Sequence, residues 1–252
     1  MGKADLHIHT SYSDGMADVR QVLDYVEEHT DLDVIAVTDH DDVRGSFAAR
    51  EAWARGRYRF ALVTGVEVTA TEGHVLALFV EDPIASLRPL KDVLGAIRRQ
   101  GALAIVPHPL NWLTRSLDRQ TLERVTRYED DGIFFDAIET ANTSAAAPVW
   151  VRRARKLNRE SLRLPEAGGS DAHHLGVIGS AYTEFAGSTP DDLRNSIATG
   201  KTKARSGRHP TLLKIGPGQL ARQTWRGLST TPRTMGLGPT ARSFVDRIFS
   251  RP

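Results

Sequence analysis

Short apolar runs alternate with amphipathic segments through most of the chain. Runs such as Asp33–Thr38 and His74–Val80 have the length and the continuous hydrophobicity of buried strands. The segment Asp18–Glu28 instead repeats its apolar residues at the spacing of one helix face. Alternating strands and helices favour an α/β fold with a largely parallel sheet, either doubly wound or closed into a barrel.

The same pattern predicts eight strands and six helices. The predicted strands are Ala4–His9, Asp33–Thr38, Phe60–Val68, His74–Val80, Ala102–Val106, Asp136–Glu139, Leu164–Gly168 and Ala181–Phe185. The predicted helices are Asp18–Glu28, Val43–Arg55, Leu87–Gln100, Leu117–Arg127, Pro148–Asn158 and Pro190–Ala198. Thr189 is a typical residue to begin a helix, and Gly101 and Gly200 stand where glycine commonly ends one.

The pattern changes after residue 206, where glycine and proline repeatedly interrupt the chain. We therefore predict a globular domain over residues 1–206 and a C-terminal tail over residues 207–252. Charge separates the two parts as well: eleven of the 33 Lys and Arg lie from Lys201 onwards, against one of the 31 acids. The residues before Lys201 thus carry about −8 and the rest about +10.

Composition excludes several classes of protein. With 252 residues, of which 40% are hydrophobic and 25% charged, the chain can bury a sizeable core and is not disordered as a whole. The longest apolar run, Val75–Val80, is far too short to span a membrane. The first residues lack the apolar core of a signal peptide, so we expect a cytoplasmic protein. Because the chain has no cysteine, any metal must be held by His, Asp and Glu.

Six of the nine histidines and three carboxylates stand at or near the ends of predicted strands. They are His7, His9, Asp14, His40, Glu67, His74, His108, Asp171 and His173. Residues two apart in a strand, such as His7 and His9, project to the same side. In a barrel all these residues would face one rim, where the active sites of such folds are built. Nine oxygen and nitrogen ligands suffice for two or three divalent ions.

Each of these residues also has an ordinary interpretation when it is taken alone. A single histidine is more often a core or surface residue than a ligand, and Asp14 alone would belong to a turn beside Gly15. Glu67 is different, because a carboxylate inside the apolar strand needs a partner cation. The joint pattern therefore favours a metal site.

Five motifs give the chain a resemblance to a known family. DLHIHTSYSDG, AVTDHD, GVEVT with GHVLALFV, PHP and GSDAHH follow one another with compatible gaps over about residues 3–205. This set resembles the polymerase and histidinol phosphatase (PHP) family, and its third motif is more similar to the stand-alone phosphoesterases than to the polymerase-fused members. The resemblance implies a distorted (β/α)7 TIM-like barrel, here with a basic C-terminal appendage, and a multinuclear metal site in the barrel mouth.

The resemblance also implies how the ligands divide among three ions of manganese, zinc or iron. A first ion would be held by His7, His9, Glu67 and Asp171; Glu67 would bridge to a second ion that His74 and His108 complete; Asp14, His40 and His173 would hold a third. A hydroxide between two ions is the expected nucleophile. We therefore take Glu67, Asp14, His40 and His173 as the catalytic residues.

Four further residues are candidates for supporting roles. Arg44 and Arg115 follow two of the motifs and are candidates for binding substrate phosphate, although each is as readily interpreted as a solvated charge. Asp39 and Asp41 flank His40 and are candidates for orienting the ligating imidazoles.

These observations predict a metal-dependent hydrolase, a phosphoesterase acting on a small organic phosphate or a nucleotide. Two alternatives stay open: a factor that trims or binds nucleic-acid ends with its basic tail, and a hydrolase of non-phosphate esters or carbamates. The short amphipathic segment Thr240–Phe249 is open to interpretation as a membrane-surface or partner helix, or as an ordinary docking helix. The sequence gives no indication of the oligomeric state.

Overall fold

The computed structural model describes residues 1–127, 132–143 and 147–207. Its strands are β1 (Gly2–Ile8), β2 (Val34–Val37), β3 (Ala61–Thr69), β4 (His74–Leu78), β5 (Leu103–Val106), β6 (Ala137–Ala141), β7 (Glu166–Gly168), β8 (Ala181–Phe185) and β9 (Lys203–Ser206). Its α-helices are α1 (Val19–His29), α2 (Arg44–Arg55), α3 (Leu90–Arg99), α4 (Arg119–Arg127), α5 (Ala147–Leu157) and α6 (Pro190–Ala198). All eight predicted strands and all six predicted helices are present, with ends shifted by a few residues.

The nine described strands form one sheet in the order β7-β6-β5-β4-β3-β2-β1-β8-β9. Strands β1 to β3 are mutually parallel, as are β5 to β7, whereas β4 runs antiparallel to both of its neighbours and β8 runs antiparallel to β1 and β9. The sheet curls until its ends almost meet: Thr183 Oγ1 of β8 accepts from Gly168 N of β7 at 2.9 Å and donates to Gly168 O at 3.0 Å. The predicted α/β barrel is confirmed, with nine described strands in place of a regular seven-fold repeat.

Strand β2 shows why its sequence is a continuous apolar run. Val34 and Ala36 pack with Leu76 and Leu78 of β4, while the alternate residues Ile35 and Val37 belong to a separate cluster with the apolar faces of α1 and α2. Both faces of the strand are therefore buried, as is usual for a sheet covered by helices.

Two helices begin where their polar residues cap them. Asp18 accepts from Gln21 N at 2.9 Å and Gln21 Oε1 accepts from Asp18 N at 2.9 Å, which closes a capping box in front of α1. Thr189 and Asp192 form the same arrangement in front of α6, as the sequence predicts. Helix α3 begins three residues later than predicted, because Leu87 adopts a left-handed φ of 56° and therefore cannot belong to the helix.

Strand β9 is the described strand that the apolar pattern does not predict. Its four residues, Lys203–Ser206, contribute one buried side chain, and the strand pairs only with β8 at the edge of the sheet. The predicted tail begins where this strand ends, and its residues from 208 onwards lie outside the described part of the chain. Among the residues that are described, no helix is both long and apolar enough to cross a membrane.

Gly168 permits the close approach of β7 and β8, and its replacement by alanine should destabilise the barrel. A Cβ at this position would lie 2.3 Å from the carbonyl oxygen of Tyr182, a backbone atom that cannot move aside cheaply. We expect Gly168→Ala to lower the free energy of unfolding by about 1–3 kcal/mol in urea titrations. Gly176→Ala is the matched control, since nothing lies within 4 Å of its added Cβ. Equal stability of the two variants would show that the contact between β7 and β8 tolerates a side chain at position 168.

Candidate metal centre

The nine predicted ligands come together at one end of the barrel. The carboxyl ends of the parallel strands meet there, and β4, which runs the other way, brings its first residue, His74, to the same end. Two isolated parallel bridges, Ile8 with Ala172 and His40 with Glu67, tie the loops after the strands to this end. The fold thus converts strand-end positions that are distant in sequence into one cluster.

Glu67 lies at the centre of this cluster and is completely buried. Its Oε2 lies 3.1 Å from His7 Nε2, 3.3 Å from His9 Nε2 and 3.2 Å from His40 Nδ1. Its Oε1 lies 2.8 Å from His74 Nδ1 and 2.9 Å from His108 Nε2. One carboxylate therefore presents a separate oxygen to each of two groups of imidazoles, which is the arrangement that a bridging ligand requires.

The remaining ligands complete the groups. Asp171 Oδ1 lies 3.4 Å from the Nε2 atoms of both His7 and His9. His173 Nε2 lies 3.1 Å from Asp14 Oδ2, and His40 Nε2 lies 3.9 Å from Asp14 Oδ1. Four sets, each with ligand atoms within 4.8 Å of one another, occur in the described residues: His9, Asp14, His40 and His173; His7, His108 and Asp171; His7, His9 and Glu67; His40, Glu67 and His74.

Several buried ring nitrogens in this cluster lack the hydrogen bonds that burial demands. Across the described ranges, His9 Nδ1, His9 Nε2, His40 Nδ1 and His74 Nδ1 make no hydrogen bond of suitable geometry, although Glu67 oxygens lie close to three of them, 2.8 Å from His74 Nδ1 at the nearest. An unsatisfied buried polar atom costs about 1–3 kcal/mol, so four of them in one place need an explanation. A divalent cation satisfies such nitrogen lone pairs, and imidazole with carboxylate suits manganese, iron or zinc. The residues present therefore fit metal ions.

The electrostatics of the innermost ligands also suit cations. Burial alone would raise the pKa of Glu67, but the imidazoles around it, led by His40 and His74, hold that pKa well below its usual range. The pKa of Asp171 is likewise held well below its usual range, by His7 above all, against the effect of burial. Burial lowers the pKa of His9 to about 3, with the neighbouring His173 contributing. Burial would lower the pKa of His7, but the carboxylates around it, led by Asp171 and Glu67, raise that pKa well above its usual value. A metal ion must therefore displace a proton from His7, since anionic carboxylates and neutral imidazoles are the forms that bind metal.

The third group of ligands is the most open to solvent. The side chains of His40 and His173 are each 13% exposed and that of Asp14 is 12% exposed, whereas those of His7 and Glu67 are fully buried. Burial lowers the pKa of His173, but the Asp14 carboxylate outweighs it and raises that pKa to about 10. In the absence of metal, His173 and Asp14 thus form an ion pair at the mouth of the site.

The suggested role of Asp39 and Asp41 in orienting imidazoles is wrong. Asp39 accepts hydrogen bonds from the backbone and hydroxyl groups of Thr10 and Ser13, at 2.6–3.2 Å. Asp41 accepts from Thr69 N and Thr69 Oγ1, both at 2.7 Å, and from Ser86 Oγ at 2.6 Å. These hydrogen bonds commit both carboxylates to groups other than the imidazoles, and Asp41 also has a left-handed φ of 55°, so the chain turns there. Asp39 instead holds the loop that carries Asp14.

The two candidate phosphate-binding arginines differ in their surroundings. Arg44 Nη2 pairs with Asp42 Oδ2 at 2.6 Å, and its side chain is 76% exposed. Arg115 is exposed, and its backbone lies next to the metal cluster. Its carbonyl oxygen accepts a hydrogen bond from the backbone N–H of His74 at 2.8 Å. Its Nη2 lies 3.5 Å from Ala70 O.

Two residues that sequence reasoning missed contact the outer ring nitrogens of ligands. Glu139 of β6 is buried, and its Oε1 lies 2.9 Å from His7 Nδ1. Ser116 Oγ donates to His108 O at 2.8 Å and lies 2.8 Å from His108 Nδ1, from which it can accept. Glu139 had a signal of the kind that singles out Glu67, a glutamate within an apolar strand. Ser116 had none.

Comparison with known proteins agrees with this architecture. The PHP-associated family model matches residues 150–202. An uncharacterized protein of Methanocaldococcus jannaschii is 31% identical over 149 residues, which cover 52% of this chain and 85% of the relative. A phosphoribosyl 1,2-cyclic phosphate 1,2-diphosphodiesterase of Eggerthella lenta is 35% identical over 92 residues, 34% of each chain.

The fold is also found in a solved structure. A two-domain protein of Bacteroides vulgatus, described as containing a predicted PHP-like metal-dependent phosphoesterase, superimposes with a TM-score of 0.63. The two sequences are 22% identical, and the match covers 89% of this chain and 69% of the other. At this level of identity the likeness concerns the fold.

Proposed function

The chain belongs to the PHP family, and from that premise we propose that it is a metal-dependent phosphoesterase that hydrolyses a phosphate ester of a small organic molecule or a nucleotide. The observation that carries the proposal is Glu67, with one buried oxygen toward His7 and His9 and the other toward His74 and His108. A pair of closely spaced cations is a common device for displacement at phosphorus.

We adopt the division of the ions that the family resemblance implies; the sets of neighbouring ligand atoms overlap its groups, since His7 lies near His108 as well as Asp171. His7, His9 and Asp171 would hold one, His74 and His108 a second, and Asp14, His40 and His173 a third, with Glu67 shared by the first two. When bound, such ions supply Lewis acidity, an activated water and neutralisation of phosphate charge. The chain contributes the fixed positions of the ligands and the exclusion of bulk water from the buried Glu67.

The exposure of the third group supports the catalytic roles of Asp14, His40 and His173. A substrate enters from solvent, so its phosphate meets the partly exposed side chains before the buried ones. Glu67 then lies behind them, where it fixes the spacing of the two inner groups. In this proposal the substrate phosphate would lie over all three groups of ligands.

Arg115 is the stronger of the two candidates for binding the phosphate. Its backbone is hydrogen-bonded to the ligand His74, whereas the guanidinium of Arg44 already has a carboxylate partner in Asp42. We expect Arg115→Ala to raise KM by about tenfold, the loss of one charge-assisted hydrogen bond, with a smaller change in kcat. Arg44→Ala should change KM less. Steady-state kinetics in which Arg115→Ala leaves KM unaltered would remove this arginine from the site.

The experiment that tests the proposed function is a substrate panel. Metal-free protein is reconstituted with manganese, zinc or iron and offered phosphate monoesters, nucleotides, a cyclic phosphodiester, a short RNA and a carboxylic ester. The cyclic phosphodiester is included because the Eggerthella lenta relative is named for such a substrate. We expect metal-dependent hydrolysis of a phosphate ester. Turnover of the carboxylic ester alone would contradict the proposal.

A further inference from the structure

Glu139 contacts one residue of the first ligand group, His7, and one of the second, His108. It lies in β6, 132 positions from His7 in the chain, and its side chain is buried. Its Oε1 lies 2.9 Å from His7 Nδ1. Its Oε2 accepts from the backbone N–H of His108 at 2.7 Å and from Asn142 Nδ2 at 2.9 Å.

We propose that Glu139 is a positioning residue shared by the first two ion sites, which it serves through the His7 ring and the His108 backbone. The inference rests on the metal centre of the proposed function. A carboxylate oxygen can only accept, so when His7 gives up one proton to bind metal, the proton that remains stands on Nδ1. The lone pair on His7 Nε2 then faces Glu67 and Asp171, at 3.1 and 3.4 Å.

The second oxygen of the same carboxylate acts on the neighbouring group. By accepting from His108 N it fixes the backbone of a residue with an unusual φ of 29°. The ring of that residue places Nε2 at 2.9 Å from Glu67 Oε1. Glu139 thus sets the direction of one ligand in the first group and the location of one ligand in the second.

The packing around Glu139 leaves it little freedom. A Cβ added at Gly169 would lie 2.6 Å from Glu139 Oε1 and 2.6 Å from the Cβ of His7. A glycine therefore stands where any larger residue would press between the carboxylate and the imidazole. Close packing of this kind holds the hydrogen bond in a single geometry.

Glutamine is an informative replacement because the Glu139 carboxylate accepts three hydrogen bonds, from His7 Nδ1, His108 N and Asn142 Nδ2. The side that meets His108 N and Asn142 Nδ2 faces two donors, so the carbonyl oxygen of a glutamine must take that side. Its NH2 group then faces His7 Nδ1, which must become an acceptor. The ring proton of His7 must then lie on Nε2, and this nitrogen no longer has a free lone pair with which to bind metal. Glu139→Gln should therefore reverse the tautomer of His7 while keeping the shape of the side chain.

The test measures zinc binding and the His7 tautomer on the full chain. Zinc titrations should show affinity lowered about 10- to 100-fold at the first two sites of Glu139→Gln, with the third site little changed. Glu166→Gln, at the start of the adjacent strand β7, is the control and should bind as the wild type does. In 15N-histidine spectra of zinc-loaded wild type, His7 should carry its proton on Nδ1.

The role of Glu139 and the metal centre itself would fail in different ways. Wild-type zinc affinity in Glu139→Gln, or an Nδ1 of His7 without a proton in the zinc-loaded wild type, would overturn the role of Glu139. The spectrum of the wild type keeps the inference testable even if the variant does not fold. Failure of the wild type itself to bind zinc would instead count against the proposed metal centre.

Discussion

Replacing Glu67 with glutamine should lower kcat by about a hundredfold or more. The carboxylate offers Oε2 to His7 and His9 and Oε1 to His74 and His108, so its two oxygens join the two inner groups. A glutamine keeps the size of the side chain, but its NH2 group cannot bind a cation. One of the two oxygens that would bind an ion would be lost, together with the negative charge that offsets the charge of the two ions.

The kinetics should be measured at saturating metal, so that weaker binding alone does not account for the loss. Glu81→Gln is a suitable control, because Glu81 is an exposed residue that pairs with Arg50 outside the metal cluster. It should retain wild-type turnover. Near-native kcat in Glu67→Gln under the same conditions would show that the carboxylate does not bridge.

Removal of metal should abolish hydrolysis and also destabilise the fold. Without cations, buried nitrogens of His9, His40 and His74 make no hydrogen bond of suitable geometry, and the carboxylates beside them repel one another. Ions that bind only the folded chain stabilise it by mass action, by about 4 kcal/mol per site when their concentration is a thousand times the dissociation constant. We therefore expect a chelator to lower Tm and re-addition of metal to restore both Tm and activity.

The matched comparison uses a variant that lacks one predicted ligand of the third ion. Asp14→Asn removes the carboxylate that meets His40 and His173, so metal should restore less of its Tm than in the wild type. A Tm that is insensitive to chelator in both proteins, with activity unchanged, would contradict the account.

Much of the fold could be predicted because its signals are local. Buried strands such as Val34–Val37 are continuous apolar runs, and Asp18 and Thr189 carry the caps that begin their helices. Strand β9 escaped because three of its four residues are exposed, so its apolar pattern is too weak to recognise. Its formation depends on pairing with β8, which is information from the tertiary fold.

The clustering of the predicted ligands could be anticipated for a related reason. A strand end is recognisable in the sequence, and the barrel brings the ends of its strands to one rim, so His7, Glu67 and His108 could be grouped before their contacts were known. The partners of those ligands were not predictable. Asp39 stands next to His40 in the sequence yet faces Thr10 and Ser13, whereas Glu139 reaches His7 across 132 positions.

The number of ions bound per chain tests the central claim most directly. The protein is stripped of metal, reconstituted separately with manganese, iron or zinc, freed of excess ions and submitted to elemental analysis alongside Glu67→Gln. The clustering of nine predicted ligands, the buried Glu67 among them, predicts two to three ions per wild-type chain with at least one of these metals, and fewer in the variant. Less than one ion per wild-type chain with every metal would contradict the account.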